Sequence, residues 1–180
     1  RYALRAAPST RHRTRSEGVT AVKLYLLRHG PALSREEWAG PDELRPLSES
    51  GADVVRAVAH RVRELDLGID VIVTSPYERA LRTAAMVHEA LDLPASALIE
   101  DARVEPGVFD AGTLLEILRD LSGVTAVMVV GHEPSMGETL AGVIGGGRFT
   151  FKKAGLARVD LDDVAGPGGE LRWFVPPKML

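Results

Sequence analysis

The chain reads as an α/β protein, a three-layer α/β/α sandwich around a mostly parallel central sheet. Short apolar runs rich in strand formers recur at 22–28, 69–75 and 125–132, and amphipathic helical stripes separate them. Each of these runs ends in a cluster of polar residues. Strands alternating with helices imply a parallel sheet covered on both faces, which is why the runs are apolar throughout.

In chain order, "VKLYLLR" (22–28) is the first strand. Ser48 or Ser50 can cap a helix whose Val55, Val58, Ala59, Val62 and Leu65 share one face. "IDVIVTS" (69–75) is the second strand, and "SPYE" then satisfies the rules for a helix start. Ser75 stands as N-cap, Pro76 at the first helical position, and Glu78 closes a capping box. Ala80, Ala84, Val87 and Leu91 form the inner stripe of that helix. "ALIED" (97–101) reads as a short strand, 111–121 as a third helix, and "TAVMVVGH" (125–132) as the strongest strand. Pro134 opens a helix through Met136, Leu140 and Val143, and its glycine-rich exit "VIGGGRF" (143–149) reads as a C-cap and loop. Runs at 156–162 and 171–176 flank "VAGPGGE" as a hairpin at a sheet edge.

With 180 residues, 45% of them hydrophobic, the chain can bury one substantial core, and residues 21–180 are expected to form a single domain. Residues 1–20 hold five arginines against Glu17, whereas the net charge of the whole is −3. The acidic remainder argues against nucleic-acid binding. The arginine-rich stretch superficially fits a transit peptide but reads better as a disordered extension. No cysteine is present, which excludes thiol catalysis, zinc–thiolate sites and disulfides. No segment approaches the roughly 18 apolar residues of a membrane span, so no membrane partner and a cytoplasmic setting are expected.

The chemistry lies in the three clusters: Arg28-His29-Gly30, Ser75-Pro76 with Arg79 one turn on, and Gly131-His132-Glu133-Pro134. The carboxyl ends of parallel strands converge on one crevice, so clusters some fifty residues apart should meet there. Arginine offers a planar fork that matches phosphate oxygens, and helix N-termini add backbone donors. Together they read as a receptor for a dianion. A neutral imidazole aimed at the bound phosphorus is a competent nucleophile, and nearby cations favour the neutral form. Singly, each piece has a structural explanation: a strand end with a turn glycine, a solvated helix arginine, a turn histidine, a helix cap. Their conjunction at three strand ends points to phosphoryl transfer.

The motifs "LLRHG" (26–30), "SPYERALRTA" (75–84) and "GHEPSM" (131–136), with "RPLSESG" (45–51), resemble the histidine phosphatase superfamily, which includes phosphoglycerate mutases. The similarity runs from Lys23 to Trp173 and is closest to SixA-type phosphohistidine phosphatases. It implies a phosphoglycerate mutase-like fold and a metal-independent phosphatase without cofactor, in which His29 is phosphorylated transiently. Arg28, Arg79 and His132 would bind the phosphoryl group, and Gly30 would supply the tight turn beside the nucleophile. Arg82 stands where many relatives have glutamine and reads as a neighbour. The substrate would be a histidine-phosphorylated protein or a small phosphate ester. A mutase is disfavoured by the short chain.

Many members of the superfamily take a glutamate as proton donor from the segment that here reads "RVEPGVF" (103–109), which makes Glu105 the candidate acid. SixA-type members often lack it, and a solvent-facing loop acid explains Glu105 equally well. Glu36, Glu37, Asp110 and Glu133 are the substitutes. The acid is diagnostic: expelling an alkoxide from a phosphate ester calls for a general acid contributing about 10²–10⁴-fold, whereas phosphohistidine expels an imidazole, a better leaving group. Two other classes compete. A metal hydrolase could use His29, His132 and Glu133 as ligands, but Arg28 and Arg79 would repel the dication. A phosphate-binding protein without catalysis would keep the fold alone. Lys152 and Lys153 read as a solvated turn, or as a positive rim for a phosphorylated partner.

Overall fold

The computed structural model describes residues 21–121 and 123–180. The expectation for residues 1–20 therefore lies outside the described residues. Six strands form one sheet: β1 (Val22–Arg28), β2 (Val71–Thr74), β3 (Leu98–Glu100), β4 (Ala126–Gly131), β5 (Leu156–Leu161) and β6 (Glu170–Val175). Their order is β3-β2-β4-β1-β5-β6. The first four in that order run parallel, β5 runs antiparallel to β1, and β6 returns beside β5 as the edge of the expected hairpin.

Side chains alternate across the sheet, and the alternation builds two cores. Tyr25, Leu27, Ile72, Met128 and Val130 face α1 (Glu49–Glu64) and α2 (Glu78–Leu91) through Val58, Val62, Ala84 and Val87. Leu24, Leu26, Val73, Val127 and Val129 face α3 (Ala111–Asp120) and α4 (Ser135–Ile144) through Leu114, Ile117, Met136 and Leu140. Two helix pairs on opposite faces of one sheet make the three layers that the alternating pattern implies. No helix among the described residues is long and apolar enough to cross a membrane.

Two local expectations are corrected. Leu65 leaves the inner face of α1 and is exposed, because the helix ends at Glu64 and Leu65 is its C-cap. The second helix starts at Glu78 with Tyr77 at its N-cap, so Ser75 does not cap it. Ser75 is fully buried and its hydroxyl is engaged elsewhere. Ser48 does cap α1, accepting a hydrogen bond from the Gly51 N–H at 3.0 Å.

Candidate active site

Register sets the site. Arg28 pairs with Gly131 across β1 and β4, and Thr74 pairs with Val130 across β2 and β4. The residues that follow continue the ladder: the His29 N–H donates to the Gly131 carbonyl at 3.0 Å and the Ser75 N–H to that of Val130 at 3.1 Å. Adjacent strands lie about 4.8 Å apart, so the three polar clusters are laid side by side. A cavity of about 550 Å³ opens there, lined by Arg28, His29, Arg35, Asp42, Arg45, Tyr77, Arg79, Pro106, His132, Glu133 and Lys153, with Ala32. Five cationic side chains face two carboxylates, a balance suited to an anion.

His29 is only 6% exposed, and its ring lies 5.0 Å from that of His132, centroid to centroid. His29 Nδ1 sits 2.7 Å from the Gly30 carbonyl oxygen. A carbonyl can only accept, so Nδ1 carries the proton and the lone pair of the neutral ring is on Nε2. Burial pushes the His29 pKa down to about 3, against the pull of the Gly30 carbonyl and with the help of Arg79, Arg28 and Lys153. The imidazole is therefore neutral at physiological pH, with the Nε2 lone pair unprotonated. Burial, with His29 and Arg79 nearby, likewise holds His132 at about 2.

Gly30 contributes space and orientation. Its N–H donates to Thr83 Oγ1 at 3.1 Å, and Thr83 Oγ1 donates to the Arg79 carbonyl, which ties the turn after His29 to α2. A Cβ at Gly30 would stand 2.3 Å from Val55 Cγ2 on α1. Glycine at position 30 therefore leaves the space that close packing against α1 needs, while its carbonyl meets the His29 ring and its N–H is already engaged by Thr83.

Arg79, on the first turn of α2, is 4% exposed. Its guanidinium lies 5.0 Å from the Tyr77 ring centroid, and Tyr77 in turn meets the His132 ring edge-on at 5.1 Å. Arg28 Nη1 donates to the Phe151 carbonyl at 2.6 Å. Among the described residues four buried side-chain polar atoms lack a partner: Arg28 Nε, Arg79 Nε, His132 Nδ1 and Thr139 Oγ1. The first three belong to residues lining this one cavity. Buried donors are normally paired, so these three form a set that a phosphoryl group would satisfy.

Sequence reasoning brought Arg28, His29, Arg79 and His132 to this cavity, missed Asp42 and Arg45, and read Ser75 as a helix cap and Lys153 as a solvated turn or a positive rim. Asp42 and Arg45 come from the loop between β1 and α1, where Asp42 accepts hydrogen bonds from Arg79 and Arg45. Ser75 Oγ lies 2.9 Å from His132 Nε2, and Lys153 reaches the cavity from the turn before β5. Glu105 is half-buried and absent from the lining, which its neighbour Pro106 reaches. Glu36 and Glu37 are exposed in the loop after β1, and Asp110 caps α3 through the Thr113 N–H at 2.8 Å. The carboxylates of the cavity are Asp42 and Glu133. Burial raises the Asp42 carboxyl, but Arg79 and Arg45 hold it below the usual carboxylate range.

The model of the histidine phosphatase superfamily (branch 1) matches residues 24–106. Phosphohistidine phosphatase SixA of Escherichia coli (strain K12) is 30% identical over 159 residues, covering 87% of this chain and 94% of its own. The phosphohistidine phosphatase SixA homolog of Haemophilus influenzae is 29% identical over 135 residues, 69% of this chain and 78% of its own. The structure of the protein histidine phosphatase SixA complexed with tungstate superposes with a TM-score of 0.78 at 28% identity, covering 88% of this chain and 99% of that one. By these relatives, the chain belongs to the histidine phosphatase superfamily and is a phosphatase.

Proposed function

We propose that the chain dephosphorylates phosphohistidine on a protein, through a covalent phosphoryl group on His29, without a metal. The carrying observation is the cavity itself: a neutral imidazole with its lone pair on Nε2 shares it with Arg28, Arg79 and His132, each of which has a buried side-chain nitrogen without a partner, and Glu105 is not in its lining. Asp42 is held ionised by Arg79 and Arg45, and Glu133 accepts the Phe151 N–H.

His29 Nε2 would attack the phosphorus as the P–N bond of the substrate breaks, its electron pair leaving with the substrate imidazole. That ring departs neutral when its distal nitrogen carries a proton, so the site need not supply one. Arg28, Arg79 and His132 would stabilise the transferring group, and water would then cleave the P–N bond to His29 and release inorganic phosphate. The names of the relatives at about 30% identity support the same substrate class. Metal ligation is disfavoured by charge, since Arg28 and Arg79 flank both histidines.

Glu105 supports a second reading, hydrolysis of a small phosphate ester, because it adjoins the cavity-lining Pro106. One experiment separates the two. Phosphate release is measured in chelator from a histidine-phosphorylated carrier protein and from a panel of phosphate esters, with wild type, His29→Ala and Glu105→Gln. Turnover of the carrier that survives Glu105→Gln and vanishes in His29→Ala supports the phosphohistidine reading. Turnover confined to esters and dependent on Glu105 supports the other. Activity persisting in His29→Ala would sink the covalent mechanism.

A further inference from the structure

Glu133 follows His132 directly and lines the cavity, yet its carboxylate turns to the backbone. Glu133 Oε1 accepts the Phe151 N–H. On the other side of the same residue, the Phe151 carbonyl accepts Arg28 Nη1 at 2.6 Å. The side chain of Phe151 is fully buried, with its ring edge-on to Phe174 at 4.7 Å, so this residue is a fixed relay and not a loose turn. The segment after it is bound to the nucleophile strand: the Ala154 N–H donates to the Arg28 and His29 carbonyls, each at 3.1 Å, and the Arg28 N–H donates to the Gly155 carbonyl at 3.1 Å. At the near end, a Cβ on Gly137 of α4 would stand 2.2 Å from the Phe149 carbonyl oxygen, so the backbone at Phe149 packs against the first turn of α4.

We propose that Glu133 is a positioning residue, which aims the Arg28 guanidinium at the phosphoryl group by clamping the Phe151 backbone from the opposite side. The proposal rests on the reading of Arg28 as a phosphoryl ligand. An arginine side chain has several rotatable bonds, and in a cavity with four other cations it is repelled from the common centre. The Phe151 carbonyl holds one Nη in place and leaves Nε, which has no other partner, for the ligand. Glu133 in turn fixes that carbonyl. Burial pushes the Glu133 carboxyl up in pKa, against the Phe151 amide and the Arg28 charge that draw it back down. Its hydrogen bond to the backbone makes it an anchor for the strap.

The test uses orthovanadate, a mimic of phosphoryl transfer, as inhibitor of phosphoramidate hydrolysis by the full chain, with Glu133→Ala, Glu133→Gln, Arg28→Ala and the Arg28→Ala/Glu133→Ala double variant. Loss of a hydrogen bond to a charged group predicts orthovanadate inhibition weakened about tenfold to a hundredfold in Glu133→Ala. Glu133→Gln keeps an oxygen for the Phe151 amide and recovers most of the loss, which also guards against a variant that merely unfolds. In the Arg28→Ala background Glu133→Ala changes inhibition less than twofold, because the group it positions is gone. Fully additive losses, or wild-type inhibition in Glu133→Ala, overturn the positioning role while leaving Arg28 a ligand. Wild-type inhibition in Arg28→Ala overturns the reading of Arg28, and the proposal with it.

Discussion

Asp42 and Arg79 are joined twice: Arg79 Nη1 donates to the Asp42 carbonyl at 2.7 Å and Nη2 to its Oδ2 at 3.0 Å. Both terminal nitrogens of a buried arginine are thus committed to one residue of the loop between β1 and α1, and its Nε alone lacks a partner. The pair orients Arg79, but it also places a negative charge in a cavity that is to hold an anion.

These two effects oppose each other, and Asp42→Asn separates them. The amide keeps an oxygen for Arg79 and removes the charge. Product inhibition by inorganic phosphate should become severalfold tighter, since a like charge in the lining of the cavity has gone. Weaker inhibition would mean that the charge is needed to hold Arg79 in its binding pose.

The pH dependence follows from the two depressed imidazoles. His29 at about 3 is deprotonated throughout the range near neutrality, so kcat/KM should show no acid limb near 6.5 from the nucleophile; the limb belongs below about pH 4. Stability carries the same sign. Between about 3 and the unfolded value of 6.5 the unfolded chain binds more protons at position 29 than the folded one, so stability falls as pH drops through that window. His132, held at about 2, adds to the loss. The thermal midpoint of wild type should decline from pH 6.5 towards 4, and His132→Asn should flatten that decline. A slope unchanged by His132→Asn would show that this imidazole is not held neutral by the fold.

Ser75 should matter more than a cap. The Tyr77 N–H donates to Ser75 Oγ at 3.3 Å, which leaves the serine hydroxyl proton free for His132 Nε2 at 2.9 Å. In that arrangement the His132 proton is on Nδ1, the unpartnered atom, which in the proposed mechanism would donate to a phosphoryl oxygen. Ser75→Ala should lower kcat/KM about tenfold at unchanged fold, by loss of about one charge-assisted hydrogen bond's worth of preorganisation. Near wild-type kinetics would leave the tautomer set by something else.

Packing gives a prediction independent of catalysis. A Cβ at Gly51, on the first turn of α1, would stand 1.8 Å from the Pro31 carbonyl oxygen. Backbone meets it on the far side, so no rotamer relieves the clash. Gly51→Ala should destabilise by about 3 kcal/mol, and the thermal midpoint should fall by about 6–12 °C. A shift under about 2 °C would mean that the loop after His29 can move away from α1.

The main elements were legible in local pattern because each is written within ten or so residues. The strand at 22–28 matches β1, and the inner stripes at Val58 and Val62 and at Ala80, Ala84 and Val87 are buried as their spacing implies. The four residues Arg28, His29, Arg79 and His132 were equally visible, since each stands at or one turn beyond the end of an apolar run. Ser75-Pro76 shows where such reading stops. It satisfies every local rule for a cap, but its hydroxyl is drawn to His132, 57 residues away, and the helix starts at Glu78 instead.

Apolar strand runs alternating with amphipathic helical stripes were thus sufficient to specify a layered sheet and the strand ends that bring Arg28, His29 and His132 to the cavity. Closure of the chain assigned the rest. Asp42 reaches Arg79 across 37 residues, and Glu133 reaches Phe151 across 18. Lys153, in a turn that reads as solvated, enters the cavity only because residues 151–155 are tied to Arg28 and His29. Such partners are chosen by where loops land on the sheet. A loop carries no periodicity, so its landing point is set by the packing of the layers beneath it and is not encoded in any short stretch of residues.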